Sequence, residues 1–139
     1  MGKECLLLVD DEQNILNALK RELREWAKER DLEIATATSA RSGLEFLAER
    51  GEDTVIIMSD LKMPEMKGTD FLTQALNDYP DTVAILLTGL TEAADTAKAV
   101  GAGLFSCILK PWDSAKLLEE LQKAYERNRS RRSRSRAAG

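Results

Sequence analysis

Five short apolar runs, separated by stretches with helical periodicity, predict an α/β domain built on a doubly wound, five-stranded parallel sheet. The runs are Cys5–Val9, Leu32–Ala37, Thr54–Met58, Val83–Leu87 and Leu104–Leu109. Four of them are nearly continuous in apolar residues, which suits strands buried on both faces, as parallel strands are. The second observation is the order: a strand followed by a helical pattern occurs five times. That alternation places helices on both faces of one sheet, joined by right-handed crossovers.

In chain order, Cys5–Val9 (CLLLV) is the first strand. The stretch Glu12–Glu29 follows, with Ile15, Leu16, Leu19, Leu23 and Trp26 at helical spacing. Leu32–Ala37 alone among the runs approaches alternation. A helix over Ala40–Arg50 turns Leu44 and Leu47 inward. Thr54–Met58 is the third strand, and Thr69–Asn77 is a helix with Phe71, Leu72, Ala75 and Leu76. Val83–Leu87 is the fourth strand. The following helix, Thr91–Val100, is alanine-rich and has a thin apolar face. Leu104–Leu109 is the fifth strand. Asp113–Asn128 is the last helix, with Leu117, Leu118, Leu121, Ala124 and Tyr125 on one face and Asp113 or Ser114 as its N-cap.

The 139 residues suggest one domain, and 43% hydrophobic content is enough for a core. No apolar run approaches the ~18 residues of a membrane span. Met1-Gly2-Lys3-Glu4 lacks the apolar segment of a signal peptide, so a cytoplasmic protein is expected. Cys5 and Cys107 both lie in apolar runs and are read as small buried thiols. The chain has no histidine, which excludes His-based catalysis and His metal ligands. Any histidine the chemistry needs must come from a partner.

Charge is unevenly divided. All 24 acidic residues lie within residues 1–126, beside 14 of the 20 basic ones. Six arginines follow: Arg127, Arg129, Arg131, Arg132, Arg134 and Arg136. The segment 127–139 is low in complexity and has no apolar face, so it reads as a disordered tail or linker remnant outside a domain of residues 1–126. The acidic body opposes nucleic-acid binding.

In open α/β sheets, ligands bind beyond the carboxyl ends of the strands. Asp10 and Asp11 follow the first run, and Asp60 follows the third beyond Ser59. Thr88-Gly89 follows the fourth and Lys110-Pro111 the fifth. Any one of these has an ordinary explanation as a cap or turn residue. Together they put three carboxylates, a hydroxyl and an ammonium at one edge. Clustered oxygen donors without His or Cys suit Mg²⁺. A carboxylate can serve as a phosphoryl acceptor, and a lysine and a hydroxyl can stabilise the transferred group.

The segments LLLVDDEQ (6–13), MSDLKMPEMKG (58–68), ILLTG (85–89) and ILKPWD (108–113) resemble the receiver domain of bacterial two-component response regulators. The resemblance implies a flavodoxin-like sheet of order 2-1-3-4-5 with five flanking helices. It implies that Asp60 is the phosphoacceptor, that Asp10, Asp11, Asp60 and the Lys62 backbone carbonyl bind Mg²⁺ or Mn²⁺, and that Thr88 and Lys110 meet the phosphoryl group. It further implies a cis bond before Pro111. The expected donor is a sensor histidine kinase or a histidine phosphotransfer protein. The expected output is a phosphorylation-dependent signal rather than enzymatic turnover. It would pass to an output domain or a second copy through the face formed by the Thr91–Val100 helix, the fifth strand and the last helix, with Ala97 and Leu104 as contacts. The KPWD segment is also similar to receivers attached to larger regulators.

The sequence departs from the family at Cys107, where an aromatic residue is usual; Phe105 lies two residues earlier. Two alternatives carry less weight. Phosphatases that form an aspartyl phosphate use D-x-D-x-T, whereas this chain has Asp60-Leu61-Lys62-Met63-Pro64. A receiver-like module that binds partners without phosphorylation would not need Asp10, Asp11, Asp60, Thr88 and Lys110 all intact.

Overall fold

A computed structural model describes residues 2–89 and 106–138. Strands β1 (Cys5–Val9), β2 (Glu33–Ala37), β3 (Thr54–Asp60), β4 (Val83–Thr88) and β5 (Ser106–Leu109) form one parallel sheet of order β2-β1-β3-β4-β5. Helices α1 (Gln13–Glu29) and α2 (Ala40–Arg50), a 3-10 turn at Gly51–Asp53, helix α3 (Gly68–Asp78) and a C-terminal helix (Ser114–Ala138) complete the described elements. The chain thus has the flavodoxin-like sheet expected of it. The helix expected over Thr91–Val100, together with Ala97, Leu104 and Phe105, lies outside the described residues.

The three inner strands explain the continuous apolar runs. Every residue of β1, β3 and β4 is buried, because side chains alternate between two covered faces. On one face, Leu6, Leu8, Ile56, Met58, Ile85, Leu87 and Ile108 pack against α1 and the C-terminal helix. On the other, Leu7, Val9, Ile57, Ala84 and Leu86 pack against α2 and α3. Each fully buried leucine contributes about 1.5–3 kcal/mol relative to exposure. The outer strands are only partly covered, which accounts for the alternation in the second run and for the partial exposure of β5.

Local signals set the helix ends. Ser39 caps α2 reciprocally with Ser42, at 3.0 and 3.2 Å. Asp113 Oδ2 accepts the Lys116 amide at 2.9 Å and so caps the C-terminal helix. The Lys110–Pro111 bond is cis.

The C-terminal segment corrects the expected disorder. The last helix runs on to Ala138, carrying all six terminal arginines. Arginine is a good helix former, and cations near a helix C-terminus suit its dipole. Tertiary partners supply the rest. Glu4 Oε2 accepts Arg129 at 2.7 Å and Arg132 at 3.0 Å, and Asn128 Nδ2 donates to the Asp81 carbonyl at 2.9 Å. Arg131 and Arg132 donate to the carbonyls of Thr82 and Glu52. The arginines therefore clasp the amino edge of the sheet, opposite the edge that carries Asp60. Cys5 is buried as expected, but Cys107 is only half-buried, because β5 is an edge strand.

Candidate functional site

Register assembles the site. Val9 pairs with Ser59, so one further residue along both strands sets Asp10 beside Asp60. Asp60 pairs with Leu87, and Thr88 pairs with Leu109, so Thr88 and Lys110 arrive at the same edge. The Lys110 amide donates to the Thr88 carbonyl at 2.8 Å. Asp11, Glu12, Asp60, Leu61, Lys62, Thr88, Gly89 and Lys110 line a cleft of about 290 Å³. The structure thus brings together every site residue expected from the sequence.

The three carboxylates are not equivalent. Asp10 is fully buried, and its Oδ1 accepts the Glu12 amide at 2.9 Å. Its Oδ2 lies 3.3 Å from Lys110 Nζ, which also reaches Asp60 Oδ1 at 3.0 Å. The lysine is therefore an internal counter-ion that bridges two of the three acids. Burial pushes the Asp10 carboxyl above its ordinary value; the Asp60 charge adds to this, while the Glu12 amide and Lys110 oppose it. For Lys110 burial acts downward, but the Asp60 hydrogen bond and the two carboxylate charges outweigh it and raise the ammonium's pKa. Asp11 is exposed and faces the cleft.

One oxygen from each of Asp10, Asp11 and Asp60 lies within 4.8 Å of the others. An all-oxygen set converging at that spacing fits a hard divalent cation such as Mg²⁺. Thr88 is buried, and its hydroxyl donates weakly to the Gly89 carbonyl at 3.4 Å. The loop after β3 is fixed by two backbone bonds, Leu61 N–H to Leu87 O at 3.1 Å and Gly68 N–H to Leu61 O at 2.7 Å. Within it, Glu65 adopts a left-handed φ of 73°.

Sequence reasoning missed Glu22. Its carboxylate accepts the Trp112 indole N–H and, at 2.6 Å, the Ser114 hydroxyl. No local signal marks this residue, because its partners lie about ninety residues downstream.

A five-stranded flavodoxin-like sheet with an acidic triad and a lysine at its carboxyl edge defines the class of receiver domains. The chain matches the response regulator receiver domain family over residues 6–122, and it belongs to that family. It is 33% identical over 122 residues to the hydrogenase transcriptional regulatory protein HoxA of Cupriavidus necator, a match covering 87% of this chain and 24% of that protein. It is 32% identical over 123 residues to the transcriptional regulatory protein KdpE of Mycobacterium tuberculosis, covering 88% of this chain and 51% of KdpE. Its structure resembles the signal receiver domain of an HD domain-containing protein from Pseudomonas fluorescens Pf-5, with a TM-score of 0.84 and 32% identity over 96% of this chain and 95% of that one. The chain spans about a quarter of the length of the first of these curated relatives and about half of the second. Among the described residues, no helix is long and apolar enough to cross a membrane.

Proposed function

We propose that the domain is a phosphorylation-dependent switch that takes a phosphoryl group onto Asp60 from a partner's phosphohistidine. The observation that carries this reading is the setting of Asp60, held between two further carboxylates and the Lys110 ammonium at the open edge of the sheet. A carboxylate oxygen of Asp60 attacks phosphorus, the P–N bond breaks, and its electron pair returns to the imidazole nitrogen of the donor. Because these 139 residues contain no histidine, the phosphohistidine lies outside the domain, and its source in this reading is a histidine kinase or a histidine phosphotransfer protein.

Asp10, Asp11, Asp60 and the Lys62 carbonyl would hold Mg²⁺ or Mn²⁺, which supplies positive charge to the phosphoryl oxygens when bound. Lys110 exchanges part of its contact with Asp60 Oδ1 for a phosphoryl oxygen, and the Thr88 hydroxyl turns from the Gly89 carbonyl to donate to another. The reaction modifies the protein itself and releases no product other than inorganic phosphate on hydrolysis. The domain works in the cytoplasm, where such kinases present their phosphohistidine. The change is passed on beside β5, where Leu109 is a large apolar side chain with 46% exposure. It passes from there to an output domain or a second copy of the chain. The relatives' greater length supports the first of these.

The test is intact-mass spectrometry after incubation with acetyl phosphate and Mg²⁺. The wild type should gain a base-labile adduct of about 80 Da, the mass of one phosphoryl group on a carboxylate. Asp60→Asn should gain none. An unchanged adduct in that variant places the acceptor elsewhere.

A further inference from the structure

We infer that Glu22 is a positioning residue that sets Lys110 over the acidic cluster by latching the turn after β5 to helix α1. The inference rests on the proposed role of Asp60 and extends it to a residue that does not line the cleft. Lys110 is the first residue of the turn Lys110–Asp113, between β5 and the C-terminal helix. Upstream, the turn is fastened to β4 by the Lys110 amide. Downstream, it is fastened by the Asp113 cap. Neither fastening fixes the turn relative to the segment that carries Asp10 and Asp11.

Glu22 supplies that third fastening. It lies on α1, the helix that begins at Gln13, directly after Asp10, Asp11 and Glu12. One of its carboxylate oxygens accepts the Trp112 indole N–H and the other accepts the Ser114 hydroxyl, so a single side chain grips both sides of Asp113. The Trp112 ring packs on the same core cluster as Leu16, Leu19 and Leu23 of α1, which restricts its rotation and aims its N–H. The helix following the acid pair and the turn following the lysine are therefore tied to each other. Lys110 Nζ sits 3.3 and 3.0 Å from its two carboxylate partners within that frame. A lysine has four rotatable side-chain bonds. Fixing its backbone origin is what limits where the ammonium rests.

The experiment compares the wild type with Glu22→Ala, Glu22→Gln, Trp112→Phe and the double variant Glu22→Ala/Trp112→Phe, with Glu25→Ala as an exposed control on the same helix. Two quantities are read. One is the rate of adduct formation from acetyl phosphate at saturating Mg²⁺. The other is ¹⁵N relaxation order at the Lys110 amide and the Trp112 indole without any phosphodonor. Glu22→Ala and Trp112→Phe should each slow the reaction about tenfold, since displacements approaching 1 Å near reacting groups cost on the order of 10²-fold. The double variant should be no slower than either single one. Glu22→Gln should retain near wild-type rate, because its amide oxygen still accepts from Trp112 and its N–H can donate to Ser114. Order at Lys110 should fall in Glu22→Ala and persist in Glu22→Gln and Glu25→Ala.

A Glu22→Gln variant as slow as Glu22→Ala would show an effect of charge, and would overturn the latch. So would additive losses in the double variant, or unchanged order at Lys110. A wild type that takes up no phosphoryl group would instead sink the proposed role of Asp60, while the relaxation measurement would still decide whether Glu22 orders the turn.

Discussion

Replacing Gly68 by alanine should disable the site without touching any group that does chemistry. Gly68 opens helix α3, and its amide closes the β3–α3 loop by donating to the Leu61 carbonyl at 2.7 Å. A Cβ at this position would lie 2.0 Å from the Asp60 carbonyl oxygen, 2.9 Å from the Asp60 carbonyl carbon and 3.0 Å from Leu61 Cα. A relaxed C···O contact needs about 3.3 Å, so helix and strand must part by about 1.3 Å. All the obstructing atoms are backbone, so no rotamer change relieves the clash. Overpacking of this kind costs about 1–3 kcal/mol, and loss of the Leu61 hydrogen bond adds about 1 kcal/mol. Stability should fall by about 2–4 kcal/mol in urea titrations. The displaced atoms carry Asp60 itself, so the rate of acetyl phosphate labelling should fall on the order of 10²-fold even in the folded fraction. Gly43→Ala is the control. Its Cβ would meet the Phe71 ring at 2.9–3.0 Å, in the core between α2 and α3. It should alter stability but leave labelling of the folded protein intact. Should Gly68→Ala melt within about 0.5 kcal/mol of the wild type and label at the same rate, the close approach of α3 to the Asp60 carbonyl is not what holds the site.

Other outcomes follow from the same geometry. Lys110→Ala should still take up some phosphoryl group but lose the accompanying shift changes along β5 and the C-terminal helix; wild-type-sized NMR shifts with beryllofluoride would refute its coupling role. Burial raises the Asp10 carboxyl above its ordinary 3.8, so the native state binds a proton more readily than the unfolded chain, and wild-type stability should fall as pH rises from about 4 through the folded value. Asp10→Asn should remove that slope and raise the melting temperature at neutral pH without Mg²⁺, which calorimetry across pH would check. Asn128→Ala should cost about 1–3 kcal/mol in denaturant titrations by leaving the Asp81 carbonyl without the Asn128 amide. Arg129→Ala/Arg132→Ala should expose the last helical turns to hydrogen exchange at a cost of about 1 kcal/mol that shrinks with added salt, because the Glu4 pairs are partly solvated.

The site was legible in the sequence because parallel strands all end at one edge. Asp10, Asp11, Asp60, Thr88 and Lys110 each trail an apolar run, so strand assignment alone was enough to gather them. The buried inner strands β1, β3 and β4 were equally plain, since no residue in them needs to be polar for solvent. What stayed hidden depends on partners distant in sequence. The segment 127–139 has the composition of a disordered chain. Nothing local says that Glu4 and the carbonyls of Asp81, Thr82 and Glu52 will receive its side chains. Glu22 looks like any solvated residue on an amphipathic helix until Trp112 is folded against it. Gly68 stands in a recognisable motif, yet the reason it must lack a side chain is the Asp60 carbonyl, a contact made only when α3 docks.

The adjacent aspartates at the end of β1 show how one sequence feature can hold two separate tasks. Successive residues leaving a strand face opposite ways. Asp10 turns inward, where the Glu12 amide and the Lys110 ammonium occupy its two oxygens. Asp11 turns out to the cleft. Their repulsion is thereby divided: the buried charge is balanced by the protein's own lysine, and the exposed one is screened by water. On the function proposed above, a divalent cation entering the cleft would meet Asp11 first and would then compete with Lys110 for Asp10 and Asp60. Binding would therefore be weaker than three free carboxylates would give, and would be tied to the position of the lysine. Under that proposal, the same competition would let the lysine follow the charge. In the proposed reaction, a phosphoryl group on Asp60 would add negative oxygens, and the ammonium would gain a partner on the cleft side and lose part of its hold on Asp10. Substituting Asp11 should therefore weaken cation affinity with little effect on the stability of the unliganded protein, whereas substituting Asp10 should change both.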